Sequence, residues 1–424
     1  MPRAERARAA ARWVLAPVLA LLAAVAMGAT PAPSSSPSSA PPSASTSPAP
    51  PADAPPAAPR IGVVTMGPGE VFWERFGHDA IVVEDPRTGA RTNYNFGFFD
   101  LDEPGFLGRF VKGDMRYRLV ALPLDEDMVY YRAVGRGARV QWLDLEPAQA
   151  RALAAALAEN ARPENARYRY DYFTDNCATR VRDALDRALG GHLRKQLEGR
   201  SSGDTYRSEA LRLASPEAWM WLAFDIGLGP YADRPLSRWQ EDFLPRRLAD
   251  DLRRVSGTHG RPLVAAEGEL LPQRLPPEPA EQEPALWPWL LAGVLAAAGI
   301  LWLRTPRPRL LAGLALGFWL LCGLLGLVLA LGWAFTDHQA MWANRNLLLF
   351  NPLCLLLVPG AVALLRKRVP SPRFFALLVA VAVLALLACL PLWLQLYPQR
   401  NGHWIALLLP IHAALARAWR RPAA

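Results

Sequence analysis

The chain has 424 residues, and its 47 Lys and Arg outnumber 38 Asp and Glu, for a formal charge of +9. The surplus sits in PRAERARAAAR at the N-terminus and in short loops between apolar runs, with no basic stripe interleaved with aromatics. That placement fits membrane orientation and argues against nucleic-acid binding. The absence of a Gly-rich phosphate loop, an HExxH run or a CxxC pair argues against nucleotide, zinc and dithiol chemistry.

Composition divides the chain in order. Residues 1–29 carry a basic stretch and the apolar run WVLAPVLALLAAVAMGA, which reads as a signal peptide or an N-terminal membrane anchor. Residues 30–59 are almost wholly Pro, Ala, Ser and Thr, a disordered linker that cannot build a core. Residues 60–266 have the make-up of a globular domain, 267–285 form a Pro-rich linker, and 286–419 are mostly apolar.

In the globular part, a strand is expected from Gly77 through His78 to Val83. It turns at Asp85–Gly89 and returns over Arg91–Gly97, a hairpin with His78 at its mouth. Further strands are expected over 111–122 and 137–145, and helices over 147–160 and 209–224.

Cys177 is the lone thiol of this domain; Cys322, Cys354 and Cys389 lie in apolar runs, where a thiol is a small hydrophobe. Asp175 or Asn176 can cap a helix whose apolar face is Val181, Leu185 and Leu189, which places Cys177 in its first turn. Unpaired N–H groups there favour the thiolate, lowering a free pKa of about 8.5 to ~3.5–7.5, and Arg180 would add to the bias. The same N–H groups would hold an oxyanion. His259 reads as loop and His192 as a cap after Gly190-Gly191, which leaves His78 as the general base for Cys177. A third group should orient the imidazole; Asn93 and Asn95 share a face of the return strand, and Asn95 is the choice.

Five apolar runs follow, at 286–303, 309–335, 347–365, 374–396 and 404–418. Arg304, Arg307 and Arg309, then Arg366 to Arg373, then Arg417 to Arg421 fall on one side if all five cross, while the alternate loops hold only Arg345 and Arg400. The globular domain is therefore expected outside the cytoplasm. His338, Asn344 and His403 share its side, where they would bind a lipid head group or substrate amine. Asn176 and Arg180 are the substrate contacts expected beside the nucleophile.

A His on a strand, a hairpin and an Asn-Cys opening a helix resemble the circularly permuted papain-like (NlpC-type) fold of lecithin:retinol acyltransferase and related lipid enzymes. FGHDAIVVED, NYNFGFFD, DNCATRVRDAL and DRPLSRWQEDFLP, with Thr336-Asp337-His338 and NRNLLLFNP downstream, resemble the Lnb-type lipoprotein N-acyltransferases over about residues 60–360. The resemblance implies an α+β periplasmic domain with a multi-helix transmembrane domain in the bacterial inner membrane. It further implies that Cys177 takes an acyl chain from a phospholipid donor and passes it to the α-amine of a lipoprotein diacylglyceryl-cysteine, with no metal or diffusible cofactor. Two other readings stay open: a cysteine amidase or peptidase on cell-wall peptides, and a non-enzymatic membrane scaffold or sensor.

Overall fold

The computed structural model describes residues 57–281, 285–390 and 399–419. The expected signal or anchor, most of the 30–59 linker and the end of the fourth apolar run lie outside those residues.

The globular part is a seven-stranded antiparallel sheet flanked by helices. Its strands are β1 (Arg60–Met66), β2 (His78–Glu84), β3 (Arg91–Phe98), β4 (Arg116–Pro123), β5 (Ala138–Leu143), β6 (Arg167–Arg169) and β7 (Val264–Leu271). Their spatial order is β6-β4-β3-β2-β1-β5-β7. The expected hairpin is β2 and β3, paired Ala80 to Asn95 and Val82 to Asn93. Side chains alternate across a strand, so β2 serves two cores. Ile81 packs with Ile61, Val63 and Phe96 against the helix Cys177–Ala188, whereas Ala80 and Val82 pack with Leu124, Met128 and Tyr131 of the helix Leu124–Val134. The catalytic candidates sit where these two cores meet, at the open end of β2.

Several boundaries differ from expectation. The segment 111–122 is the end of a helix, Phe106–Lys112, followed by β4. The helix expected over 209–224 is two, Tyr206–Ala214 and Ala218–Gly227, with Ser215-Pro216 between them, because a proline ring blocks the preceding helical turn. The expected domain boundary at 266 falls inside β7, which forms the sheet edge beside β5. The stretch after it is docked: Arg274 N–H donates to Gly135 O at 3.0 Å, and Glu278 pairs with Arg212 at 3.0 Å.

In the apolar half, Pro308–Phe335, 28 residues, is the one helix among the described residues that is by itself long and apolar enough to cross a bilayer. A second span results if Gln339–Leu348 and Pro352–Leu365, bent by 44° at a break, count as one. Trp287–Leu303 and Pro372–Leu387 are shorter apolar helices, and Gly402–Ala418 carries Pro410. Trp287–Leu303 packs closely on Gly402–Ala418; a Cβ on Gly293 would fall 2.5 Å from the carbonyl oxygen of Ala406. Small residues allow this backbone approach where lipid supplies no hydrophobic drive.

The two halves are joined by buried polar contacts. Asn344 Nδ2 donates to the carbonyls of Ile226, Gly227 and Leu228 at 2.8, 2.9 and 3.2 Å, closing the C-terminus of Ala218–Gly227. Its Oδ1 accepts from Asn346 N–H and Gln399 Nε2. Asp225, fully buried, accepts from Trp404 Nε1 at 2.8 Å, meets His403 Nε2 at 2.5 Å and lies 3.5 Å from Arg207. Asn344 and His403, expected to face substrate, instead fasten the membrane helices to the sheet domain. An amide with every donor and acceptor occupied has nothing left for a ligand.

Candidate active site

Asn176 caps the helix Cys177–Ala188. Its Oδ1 accepts from Thr179 N–H at 3.0 Å, Thr179 Oγ1 accepts from Asn176 N–H at 2.7 Å, and its Nδ2 donates to Tyr172 O and Phe243 O, each at 2.9 Å. The buried face of the helix, Ala178, Val181, Ala184 and Leu185, rests on β2 and β3. This holds Cys177 in the first turn, partly exposed, over the start of β2. The backbone N–H groups of Asp79, Ala178 and Cys177 itself favour its thiolate. Asp79 directly follows His78 in the chain, the residue expected to be the base for Cys177.

The imidazole of His78 is held from the other side of the sheet. His78 Nε2 lies 3.0 Å from Asn95 Oδ1, and Asn95 Nδ2 donates to Asp127 Oδ2 at 3.0 Å. Asn93 Nδ2 donates to the same oxygen at 2.6 Å. A carboxylate only accepts, so Asp127 orients the Asn95 amide with its NH2 toward itself and its oxygen toward His78. His78 Nε2 must then carry the proton, which leaves Nδ1 as the basic nitrogen. No hydrogen bond joins the thiol to the imidazole among the described residues; catalytic contacts of this kind are often loose without substrate and tighten when it binds.

The electrostatics correct one expectation. Burial pushes the Cys177 thiol up to about 12, and neighbouring Asp79 adds to the rise, against the opposing pull of the three N–H groups. The helix terminus therefore does not by itself create a resting thiolate, because the protein around the half-buried sulfur displaces much of the water that would solvate its charge. Arg180 does not reverse this. Its guanidinium is held by the Asp175 carboxylate, Nη2 to Oδ2 at 2.7 Å, and stacks over the Tyr168 ring at 4.2 Å. Asn176 and Arg180, expected to contact substrate, both make internal contacts. Burial also lowers the His78 pKa, with the Asn95 hydrogen bond opposing, Arg136 lowering it further and Asp127 raising it. Both partners rest neutral at pH 7. Asp79, with no exposed surface, is pushed well above the carboxylate range by burial although Thr65 Oγ1 donates to its Oδ1 at 2.7 Å.

Three groups at the site were not singled out in the sequence. Asp127 lies on the stripe Leu124, Asp127, Met128, Tyr131, a helical spacing that marks it as the inward member of an acidic triplet. Tyr168 carries a buried hydroxyl without a hydrogen-bond partner among the described residues. Gly97, with φ +97°, adjoins the thiol: a Cβ there would be in van der Waals contact with the Tyr170 ring at 3.7 Å, Tyr168 Oη at 3.8 Å and Cys177 Cβ at 3.9 Å. His338 is separate from this cluster; its Nε2 lies 3.0 Å from Phe110 O and its ring stacks on Tyr172 at 6.1 Å.

Residues 52–210 match the family model described as the Lnb N-terminal periplasmic domain, and residues 279–419 match the Lnb transmembrane domain. No curated protein and no solved structure matches the chain.

Proposed function

Because the chain belongs to the Lnb family, a membrane protein with a periplasmic domain and a part in lipoprotein N-acylation, we propose that it is the transacylase itself, with Cys177 as nucleophile and His78 as base. The observation that carries the proposal is Cys177 at the Asn176-capped start of a helix packed on β2 and β3, together with a histidine at the start of β2 whose ring is aligned by Asn95 and Asp127.

With thiol and imidazole both neutral at rest, His78 Nδ1 takes the thiol proton as Sγ attacks the ester carbonyl of a phospholipid. The tetrahedral oxyanion is held by the N–H groups of the first helical turn and by the Tyr168 O–H, a neutral phenol whose pKa burial keeps well above its usual value. The carbon–oxygen bond to glycerol breaks, the alkoxide takes the proton from His78 and leaves as lysophospholipid, and a thioester remains on Cys177. The α-amine of a lipoprotein diacylglyceryl-cysteine then attacks the thioester. Its surplus proton passes by way of His78 to the departing sulfur, an amide forms and the thiol is restored. The permuted papain-like fold, the bacterial inner membrane as the site of action and a crossing by all five apolar helices belong to the same proposal.

The test is mass spectrometry of lipoprotein N-termini from a strain lacking the protein, complemented with wild type or with Cys177→Ala. The expected result is N-acylation restored by wild type alone. Equal N-acylation with Cys177→Ala would sink the proposal.

A further inference from the structure

Resting on the reading above, we propose that the sheet domain carries an aromatic lip that sits in the outer leaflet of the bilayer and receives the acyl chain of the donor lipid. Trp73, Phe98, Leu101, Leu107, Trp219 and Leu222 are each between 40% and 57% exposed. They come from separate stretches of the chain, and rings bridge them: Phe72 lies 6.2 Å from Trp73 and 6.1 Å from Trp219. An exposed apolar surface joined across distant elements marks a binding surface rather than scattered surface residues.

Its position relative to the membrane follows from the contacts at its two flanks. On one side, Asp337 N–H donates to Lys112 O at 2.7 Å, Arg169 pairs with Asp337 at 3.1 Å, and His338 binds Phe110 O. These ties hold the helix Phe106–Lys112 directly after the end of the bilayer-length helix Pro308–Phe335, where Trp333 and Phe335 are exposed. On the other side, Trp221 stacks on Trp289, in the first turn of the apolar helix Trp287–Leu303, at 6.3 Å. Tryptophan and other aromatics at helix ends mark the water–lipid boundary, and both flanks of the lip stand at that level. The occupant that fits is therefore lipid.

The lip also leads inward. Trp73 contacts Phe99 at 5.8 Å, Phe99 stacks on Tyr117 at 5.0 Å, and Tyr117 meets Tyr170 at 4.4 Å. Tyr170 and Cys177 both adjoin Gly97. A continuous run of aromatic contacts thus leads from the exposed surface to the residues beside the nucleophile, and an acyl chain seated on the lip would bring its ester to that side of the site.

Full-length Cys177→Ala protein in nanodiscs, containing phosphatidylethanolamine with a diazirine in the acyl chain, tests this without requiring turnover. Illumination and peptide mapping should place adducts in 72–73, 98–107 and 219–222 as well as in the apolar helices. Adducts confined to 287–418 would overturn the lip. In parallel, Leu107→Ser with Trp219→Ser should lower acyl transfer from bilayer phospholipid at least tenfold at an unchanged melting temperature; undiminished transfer counts against it. Adducts on the lip from a wild-type protein that transfers no acyl group would uphold the surface and overturn the transacylase reading alone.

Discussion

The Oδ1 of Asn95 stands 3.0 Å from His78 Nε2 because Asp127, on a different element, holds the other end of the same amide at 3.0 Å. The relay fixes which ring nitrogen is basic. Asn95→Ala removes the hydrogen bond, and Asp127→Asn removes the group that orients it. A hydrogen bond to a group that becomes charged is worth about 1.5–3 kcal/mol, or roughly 10- to 100-fold in rate. Steady-state acyl transfer by Asn95→Ala should fall by that factor with KM little changed. An equal rate would show that the amide does not align the base.

The pH dependence follows from two displaced groups. His78 titrates below its ordinary 6.5, and only its neutral form can take the thiol proton. Acyl transfer should therefore be lost as pH falls, with a midpoint in kcat/KM below 6.5. Asn95 and Asp127 both favour the protonated ring, so removing either should move that midpoint further down. The Cys177 thiol, pushed up to about 12, should add no rise in rate between pH 7 and 9. A rate that climbs with thiolate over that range would contradict the neutral resting pair.

Tyr168→Phe separates rate from stability. The hydroxyl has no hydrogen-bond partner among the described residues, so its loss should leave the melting temperature unchanged or raise it. If the hydroxyl holds the oxyanion, acyl-enzyme formation should slow by about 10²–10³. Slower reaction together with a lower melting temperature would point to a packing role.

Arg207 is 1% exposed and binds Asp233 at 2.9 and 3.0 Å, Asp225 O at 2.8 Å and Leu228 O at 2.6 Å. Arg207→Ala strands buried carboxylates beside the membrane helices and should cost about 3–5 kcal/mol. Thermal unfolding in detergent reads this directly, and a midpoint within a degree or two of wild type would show that the junction does not rest on this network.

Much of the site was legible in the sequence because its parts are local. The Asn176 cap, the Cys177 turn and the β2–β3 hairpin follow from residues within a few positions of one another, and Asn95 could be chosen because it shares a strand face with Asn93. Asp127 could not be paired with Asn95 from the chain alone: they are 32 positions apart, and only the packing of Leu124–Val134 on the sheet joins them. Arg180 shows the opposite failure. Its distance from the thiol was legible, whereas its capture by Asp175 depends on side-chain geometry that the spacing does not state.

By itself, the order of residues determined the division into a polar domain and apolar helices, and it singled out Cys177 and His78 as the proposed thiol and imidazole. These are matters of composition and short-range periodicity. The tertiary structure alone decided the state of those groups: burial removed much of the solvent that would have stabilised a thiolate, and the relay chose the basic nitrogen. It also placed Asn344 and His403 in the contacts that join the membrane helices to the sheet domain. Desolvation and hydrogen-bond occupancy depend on what surrounds an atom in space, and neighbours in space come mostly from elsewhere in the chain.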